Sequence, residues 1–316
     1  MKKLIAVLCC SFLFSGSLFA APAKFPSKQI TVVVGYSAGG TSDTVTRFIA
    51  KEMEAELGVP IIVTNKPGGS SAVAFEYLAS RKADGYTLMY VPVENAMVKP
   101  LGFTKLEPKD IRYIGRAMTL PATVTVNANS PFKTFADLVK YAKNNPGKLK
   151  VGNSGTGSIW HFAAVGIERA ADVKFNHVPF DSGTAAATAV MGGHVDIATV
   201  APGEVKAGVE SGKLRVLAIV DNQRSSLYPK VPSFKDLKLN VEIMGWGAFA
   251  VPLKTPEEIV QILEAAYKKA VESQAFKDLC VKYGLTPAYL SAADAQKFAN
   301  EQAQWYQEQI PSLNLR

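Results

Sequence analysis

The sequence predicts a two-lobed α/β protein with a cleft between its lobes. Apolar strand-like segments alternate with amphipathic helical segments, which is typical of largely parallel sheets. The alternation stops near residues 111–127 and 242–251, where the chain is extended without a helix and would cross between lobes. In each half of the chain, a turn of small residues leads from a strand into a helix. Together these features predict two similar lobes that face each other.

The chain begins with the features of a secretory signal peptide. Residues 1–20 combine a basic start, an apolar segment and a small-residue end. The apolar segment is shorter than the roughly 20 residues that a membrane-spanning helix needs. We therefore expect cleavage near Ala20 and an exported protein that does not itself span the membrane. Two of the three cysteines lie in this segment, so Cys280 should be an unpaired, buried side chain.

Composition narrows the possible functions. The chain has 316 residues, of which 48% are hydrophobic, and this is enough for two lobes. Its formal net charge is +8, but the sequence has no arginine-rich run and no patch that interleaves aromatic and basic residues. We therefore expect no nucleic acid partner. The positive charge would at most attract anionic solutes.

The first small-residue turn is a candidate anion site. Residues 30–34 should form a strand, residues 35–40 a turn, and residues 41–57 a helix that ends at Gly58. The start of such a helix presents unpaired N–H groups and a partial positive charge beyond the strand end. With hydroxyls from Ser37, Thr41 and Ser42, this turn suits a carboxylate. A purely structural turn is an equally good interpretation of these residues alone.

Two nucleotide-binding interpretations fail on the same residues. The spacing of Gly35 and Gly40 is that of a P-loop, but Thr41 occupies the position where that motif requires lysine. The dinucleotide pattern of three glycines is also not met. We therefore expect no nucleotide, and no cofactor of any kind.

The first lobe should continue with a strand at residues 61–64, a helix at 72–80 and a strand at 86–91. Ligands of parallel sheets bind beyond the carboxyl ends of the strands, and Glu94 follows the last of these strands. If Glu94 faces the cleft, it should repel a plain dicarboxylate and favour a ligand with an amine or another donor. A solvated Glu94 at the rim of the cleft is an equally good interpretation.

The second small-residue turn covers residues 152–158, between a strand at 149–151 and the next helix. It repeats the arrangement of the first turn in the other half of the chain. The hydrolase motif G-x-S-x-G is not met, because Thr156 follows Gly155. The three histidines have neither triad nor metal-binding spacing, and we expect no catalytic residue and no metal ion.

A third polar turn, residues 179–184, follows a strand at 175–178, and the strand at 195–200 leads to Ala201. Helices at residues 256–273 and 292–309 should complete the first lobe. The predicted domains are a signal peptide (1–20), a first lobe (21–122 and 247–316) and a second lobe (123–246).

Short motifs along essentially the whole mature chain are those of a known family. They are Phe25-Pro26-Ser27-Lys28-Gln29-Ile30, Gly39-Gly40-Thr41-Ser42-Asp43, Asn65-Lys66-Pro67-Gly68-Gly69, Ala83-Asp84-Gly85-Tyr86-Thr87-Leu88, Asn145-Pro146-Gly147-Lys148-Leu149, Ser154-Gly155-Thr156-Gly157-Ser158 with His161, Val178-Pro179-Phe180, Gly192-Gly193-His194-Val195-Asp196 and Gly245-Trp246-Gly247. In these motifs the chain resembles the periplasmic substrate-binding proteins of tripartite tricarboxylate transporters, the Bug or TctC-like receptors.

The resemblance implies a type II periplasmic binding protein fold with its ligand between the lobes. It implies that the ligand's carboxylate is held mainly by backbone amides, hydroxyls and bridging waters of the turns at residues 39–43 and 154–158. The expected ligand is a small organic acid, and the chain's own Glu94 and aromatic residues extend this class to amino and aromatic acids. It also implies a periplasmic receptor that is not an enzyme, with the transporter's membrane subunits as partners. A ligand sensor that signals through a membrane protein and, with less support, a hydrolase remain alternatives.

Some residues depart from the family pattern. The opening of the first turn differs from the usual Pro-Phe form, and Phe180 replaces a common tyrosine. Tyr36, Trp160, Phe180 and Trp246 are candidates for an apolar pocket wall. The predicted ligand-binding residues are Tyr36, Ser37, Ala38, Gly39, Gly40, Thr41, Asp43, Glu94, Ser154, Thr156, Gly157, Ser158, His161, Phe180, Asp181, Ala201 and Trp246.

Overall fold

The structure, a computed structural model, describes residues 25–241 and 243–313, without the side chains of residues 312 and 313. The predicted signal peptide and Glu242 lie outside the described residues. Among the helices of the described part, none has the length and apolar character needed to cross a membrane.

The described residues form ten strands and nine α-helices. The strands are β1 (Ile30–Val34), β2 (Ile61–Asn65), β3 (Thr87–Pro92), β4 (Ile111–Asn127), β5 (Lys150–Asn153), β6 (Asn176–Pro179), β7 (Ile197–Val200), β8 (Leu214–Val220), β9 (Met244–Pro252) and β10 (Thr286–Leu290). The helices are α1 (Thr41–Leu57), α2 (Ala72–Ala79), α3 (Phe135–Asn144), α4 (Ile159–Ala171), α5 (Gly183–Met191), α6 (Pro202–Glu210), α7 (Glu257–Glu272), α8 (Gln274–Tyr283) and α9 (Ala292–Gln309).

The first sheet has the order β2-β1-β3-β9-β4, and β10 pairs with β4 on its other side. β1 pairs in parallel with β2 and β3, and its apolar residues are almost entirely buried, as expected for a strand covered on both faces. β9 is antiparallel to both β3 and β4, so this sheet is mixed rather than largely parallel. We call the residues around this sheet the first lobe.

The first helix, α1, packs on this sheet because its apolar residues recur at helical spacing. Val45, Ile49 and Met53 are all buried. The helix ends at Gly58, whose φ of 69° is in the left-handed region that glycine tolerates. The strand, turn and helix predicted for residues 30–57 are therefore confirmed.

The second sheet contains the end of β4, which pairs antiparallel with β7 and with β8. β5 continues the sheet beyond β7, and β6 continues it beyond β5, both in parallel. We call the residues around this sheet the second lobe. The predicted two-lobed α/β architecture is confirmed.

β4 connects the two sheets as one continuous strand. Residues 111–121 pair with β9 in the first sheet, and residues 122–127 pair with β8 in the second. The predicted extended, helix-free crossing at residues 111–127 is therefore confirmed, and it is one strand that continues through Pro121. Pro121 is registered with Met244 at the start of β9. It lies between Thr119, the last residue paired with β10, and Ala122, the first residue paired with β8.

The C-terminal region contains two elements that were not predicted, α8 and β10. Ser273 ends α7 in an extended conformation, and its hydroxyl accepts a hydrogen bond from the Phe276 amide to start α8. α8 buries Cys280, and burial raises the pKa of its thiol to about 12. This confirms the prediction of an unpaired, buried cysteine.

Candidate functional site

A cavity lies between the two lobes where the starts of several helices meet. Its empty volume is about 440 Å³. The first lobe and the connecting strands contribute Tyr36, Thr41, Ser42, Tyr90, Pro92, Val93, Glu94, Leu120, Gly245 and Trp246. The second lobe contributes Ser154, Ile159, Trp160, Ser182, Gly183 and Glu204. Neither lysine nor arginine is among the described residues that line this cavity.

Two helix starts face the cavity from opposite lobes. The backbone amide of Thr41, the first residue of α1, donates to Glu204 Oε1 at 3.3 Å. The backbone amide of Ile159, the first residue of α4, donates to Glu94 Oε1 at 2.9 Å. Each helix start therefore binds a carboxylate that comes from the other lobe, in agreement with the affinity of helix N-termini for anions.

The first turn of α1 holds further donors. The first hydrogen bond inside the helix runs from the Thr44 amide to the Gly40 carbonyl. The amides of Ser42 and Asp43 therefore have no carbonyl partner within the helix. Ser42 lines the cavity, and its side chain lies beside Tyr90, another lining residue.

The two carboxyl groups are in an environment that disfavours their charge. Burial raises the pKa of Glu94 above 4.5, although the hydrogen bond from the Ile159 amide opposes the shift. Burial also raises the pKa of Glu204, which is less completely enclosed than Glu94. The negative charge of Glu94 raises the pKa of Glu204 further, which indicates that the two carboxylates interact across the cavity.

Three buried polar atoms at the cavity lack a hydrogen-bond partner among the described residues. They are the Tyr36 hydroxyl, Thr41 Oγ1 and Trp246 Nε1, and their residues are 8%, 7% and 1% exposed. Burial and the charge of the neighbouring Glu94 raise the pKa of Tyr36. The Tyr36 hydroxyl and Thr41 Oγ1 lie beside the carboxyl groups of Glu94 and Glu204, respectively, without a well-aligned hydrogen bond to them. Buried donors without partners are costly, so these atoms indicate a site built for a polar guest.

A neighbouring cavity of about 530 Å³ shares Tyr36 and Ser154 with the central one. Turns of both lobes line it, and Ser70 Oγ of the first lobe donates to the Thr156 carbonyl of the second at 2.8 Å. Thr184 Oγ1 makes a similar contact to the Gly39 carbonyl at 3.2 Å. The rims of the two lobes are therefore in contact.

The predicted ligand-binding residues fall into three groups. Those that line the central cavity are Tyr36, Thr41, Glu94, Ser154 and Trp246. Those that line only the neighbouring cavity are Thr156, Phe180 and Asp181. Those that are not among the lining residues of either cavity are Ser37, Ala38, Gly39, Gly40, Asp43, Gly157, Ser158, His161 and Ala201. Glu94, whose orientation was open, is 3% exposed and faces the cavity.

Several residues of the third group build the turns behind the site. Ser158 caps α4, and its hydroxyl accepts from the His161 amide at 3.2 Å. His161 Nδ1 accepts from the Gly157 amide at 3.0 Å. Burial, with a smaller effect of His177, lowers the pKa of His161 to about 4, so its ring is neutral at pH 7. A neutral ring suits this acceptor role.

Asp43 fixes the first turn. It is 4% exposed and accepts hydrogen bonds from the Gly39 amide, Arg47 Nε and Asn65 Nδ2 at 2.9–3.0 Å. Burial acts to raise its pKa, but the hydrogen bonds, led by that of Arg47, outweigh this and lower the pKa below 3.8.

We expect Asp43→Asn to lower the free energy of unfolding by about 1–2 kcal/mol at pH 7, because it weakens hydrogen bonds to a charged acceptor. The loss is no larger because Arg47 is half-exposed and water screens its charge. The folded-state pKa is depressed, so this stability is present above the ordinary carboxyl pKa and is lost as the pH falls through the folded-state value. Urea denaturation of both proteins from pH 7 to pH 3 should show the difference shrinking. A difference that does not change with pH would contradict this, and exposed Asp278→Asn is the control.

The sequence analysis missed several lining residues, chiefly Glu204, Tyr90, Ser182 and Gly183. Glu204 is the third residue of α6, where a glutamate commonly caps its own helix, and its Oε2 accepts from the Ala201 amide at 2.9 Å. That local role is visible in the sequence. The contact of Glu204 with the start of α1 depends on how the two lobes meet, so the sequence does not show it.

Comparisons with known proteins agree with this architecture. A sequence profile described as "Tripartite tricarboxylate transporter family receptor", TctC, matches residues 45–315. A UPF0065 protein encoded in the gbd 5' region of Cupriavidus necator is 32% identical, with 92% of this chain and 89% of that protein covered. The structure of a periplasmic transporter has a TM-score of 0.88 at 28% identity, over 92% of this chain and 99% of that one.

A TctC solute binding protein from Polaromonas is 34% identical, with a TM-score of 0.69 over 92% of this chain and 100% of that one. The family profile covers most of the chain, and the resemblance found in the sequence motifs is confirmed. This chain belongs to the TctC family of tripartite tricarboxylate transporter receptors.

Proposed function

We propose that this receptor captures a small organic acid in the periplasm and passes it to the membrane subunits of a tripartite transporter. One observation carries the proposal: two helix starts from opposite lobes converge on one cavity, and each already holds a carboxylate. Membership of the receptor family supports the transport role and the membrane partners. The protein would act by binding and release, without chemistry.

The ligand carboxylate would lie near the start of α1. The Ser42 amide and the hydroxyls of Ser42 and Thr41 are donors within one helix turn, and both residues line the cavity. On the other side of the cavity, Ser154 and Ser182 offer further hydroxyls. Uncharged donors bind an anion without the strong attraction of a salt bridge, which permits release when the lobes separate.

The lobes would move about the two strands that connect them. We propose that residues 21–122 with 247–316 form one moving body and that residues 123–246 form the other. The change of β4 partners between residues 121 and 122 supports the first boundary. The start of β9, where Gly245 and Trp246 line the cavity, supports the second.

A thermal-shift screen of the purified mature protein against short mono- and dicarboxylates and amino acids tests the proposal. A ligand at 100 times its Kd should stabilise the folded protein by about 2.7 kcal/mol. The matching amides, which lack the carboxylate, are controls and should have little effect. Failure of every carboxylate to bind in follow-up calorimetry, or the appearance of a reaction product from a bound compound, would contradict the proposal.

A further inference from the structure

The cavity contains two acidic side chains from opposite lobes and no basic side chain among its described lining residues. Glu94 is held by the Ile159 amide, and Glu204 is held by the amides of Thr41 and Ala201. These partners are uncharged. Hydrogen bonds orient the two carboxylates, but no cation at the site neutralises them.

The chain makes room for this arrangement. A Cβ atom on Gly183, the first residue of α5, would lie 2.1 Å from Glu204 Oε2, so any side chain there would displace the carboxylate. Glu204 Oε2 also accepts a hydrogen bond from the Ala201 amide at the start of α6, so helix capping explains this contact of Glu204. Helix capping does not explain Glu94, which comes from the first lobe and reaches the start of a helix in the second.

Buried carboxylates without a counter-ion are unfavourable, because burial removes hydration and their mutual repulsion adds to the cost. A guest with a positive group would remove this cost. A plain diacid would increase it, because it would bring two more negative charges beside Glu94 and Glu204.

The same cavity also presents donors. The Tyr36 hydroxyl, Thr41 Oγ1 and Trp246 Nε1 are buried and form no well-aligned hydrogen bond with another described residue, and each belongs to a lining residue. A guest carboxylate would satisfy such donors. The cavity therefore offers acceptors and donors together, which matches a small molecule that carries both charges.

We infer, on the basis of the proposed function, that the captured solute carries a protonated amine beside its carboxylate, and that Glu94 and Glu204 bind this amine and determine the receptor's selectivity. Small amino acids are the class of solute that fits. The side chains of Glu94 and Glu204 act as acceptors, and the start of α1 with its neighbouring hydroxyls acts as the donor set.

Isothermal titration calorimetry with two matched pairs of probes tests this inference: aspartate with succinate, and glutamate with glutarate. Within each pair the carbon chain is the same and only the amine differs. Wild-type protein should bind the amino acid of at least one pair about 10-fold or more tighter than its partner, since one desolvated ion pair is enough for this factor.

Glu94→Gln and Glu204→Gln should each weaken binding of the amino acid by about 10-fold or more and leave binding of the plain diacid equal or tighter. Glutamine keeps one accepting oxygen, which is enough for the Ile159 amide at position 94. At position 204 it keeps the contact with either the Thr41 or the Ala201 amide, and thermal unfolding of both variants verifies that they fold. Exposed Glu301→Gln is the matched control and should bind all probes as wild type does.

Equal or tighter binding of the plain diacids by wild-type protein would overturn the inference and leave the proposed function standing. An amino acid preference that both glutamine variants keep would also overturn it. Failure of folded wild-type protein to bind any of the four probes, while other carboxylates without an amine bind, would overturn the inference alone. Failure of all carboxylates would overturn the proposed function as well.

Discussion

Replacing Thr41 by proline should weaken binding of the carboxylate solute by about 10- to 100-fold, the range expected for losing a hydrogen bond to a charged group. Thr41 is the first residue of α1, and its amide donates to Glu204. Proline removes this N–H group and places ring carbons where the carboxylate now lies. The helix start loses its first donor whether it holds Glu204 or the solute's own carboxylate.

The substitution suits the local backbone. Proline is favoured at the first position of a helix, and the preceding residue, Gly40, has an extended conformation with φ −80° and ψ 176°. We therefore expect the variant to fold, with a modestly lower unfolding temperature because the hydrogen bond to Glu204 is lost. Calorimetry with the tightest-binding probe is the measurement.

Thr41→Val is the matched control, because it keeps the amide and the shape of the side chain but removes the hydroxyl. A larger loss of affinity for Thr41→Pro than for Thr41→Val would show that the backbone amide of residue 41, and the space beside it, contribute to binding. If both variants bind the probe equally, the start of α1 is not part of the binding site.

The helix start was predictable because all of its determinants are local. The glycine-containing turn, the apolar spacing of α1 and the stop at Gly58 lie within one short stretch of sequence. The determinants of the start of α4 are also local, because Ser158 caps this helix. Both anion-binding helix starts could therefore be proposed from sequence alone.

The two carboxylates could not be placed from sequence in the same way. Glu94 follows β3 in a short 3-10 helix, and a loop glutamate is usually solvated. It is buried here because α9 packs against this 3-10 helix, and the start of α4 in the other lobe supplies the Ile159 amide. Glu204 resembles an ordinary capping residue. Both roles depend on contacts between residues far apart in the chain.

Pro121 illustrates a different limit. A proline normally signals a break in a strand, and the sequence shows only that Pro121 lies within an extended crossing. β4 continues through it because the strand changes sheets at this point. The exception becomes visible only when the partners on both edges are known.

Replacing Trp246 by alanine should have the largest effect on stability, a loss of about 3–5 kcal/mol, as is usual for removing a buried aromatic side chain. Trp246 is 1% exposed. Its ring lies 5.5 Å from that of Phe298 on α9 and 6.4 Å from that of Tyr113 on β4, between ring centroids. Urea denaturation with a linear extrapolation measures the loss.

Trp246→Phe separates the packing of this residue from its donor. Phenylalanine keeps an aromatic ring against Phe298, so we expect a stability loss of about 1–2 kcal/mol, within the usual range for single substitutions. It also removes the indole N–H group, which is buried without a hydrogen-bond partner among the described residues and belongs to a residue that lines the cavity. If that group binds the solute, affinity should fall by about 2- to 12-fold.

The matched control is Trp305→Phe, because Trp305 is 42% exposed and is not among the residues lining either cavity between the lobes. It should leave affinity unchanged. If Trp246→Phe binds the solute as tightly as the wild-type protein does, Trp246 contributes to core packing and not to binding. A selective loss of affinity in that variant would identify a directional hydrogen bond from β9, the strand about which the lobes are proposed to move. Closure of the lobes and recognition of the solute would then depend on the same residue.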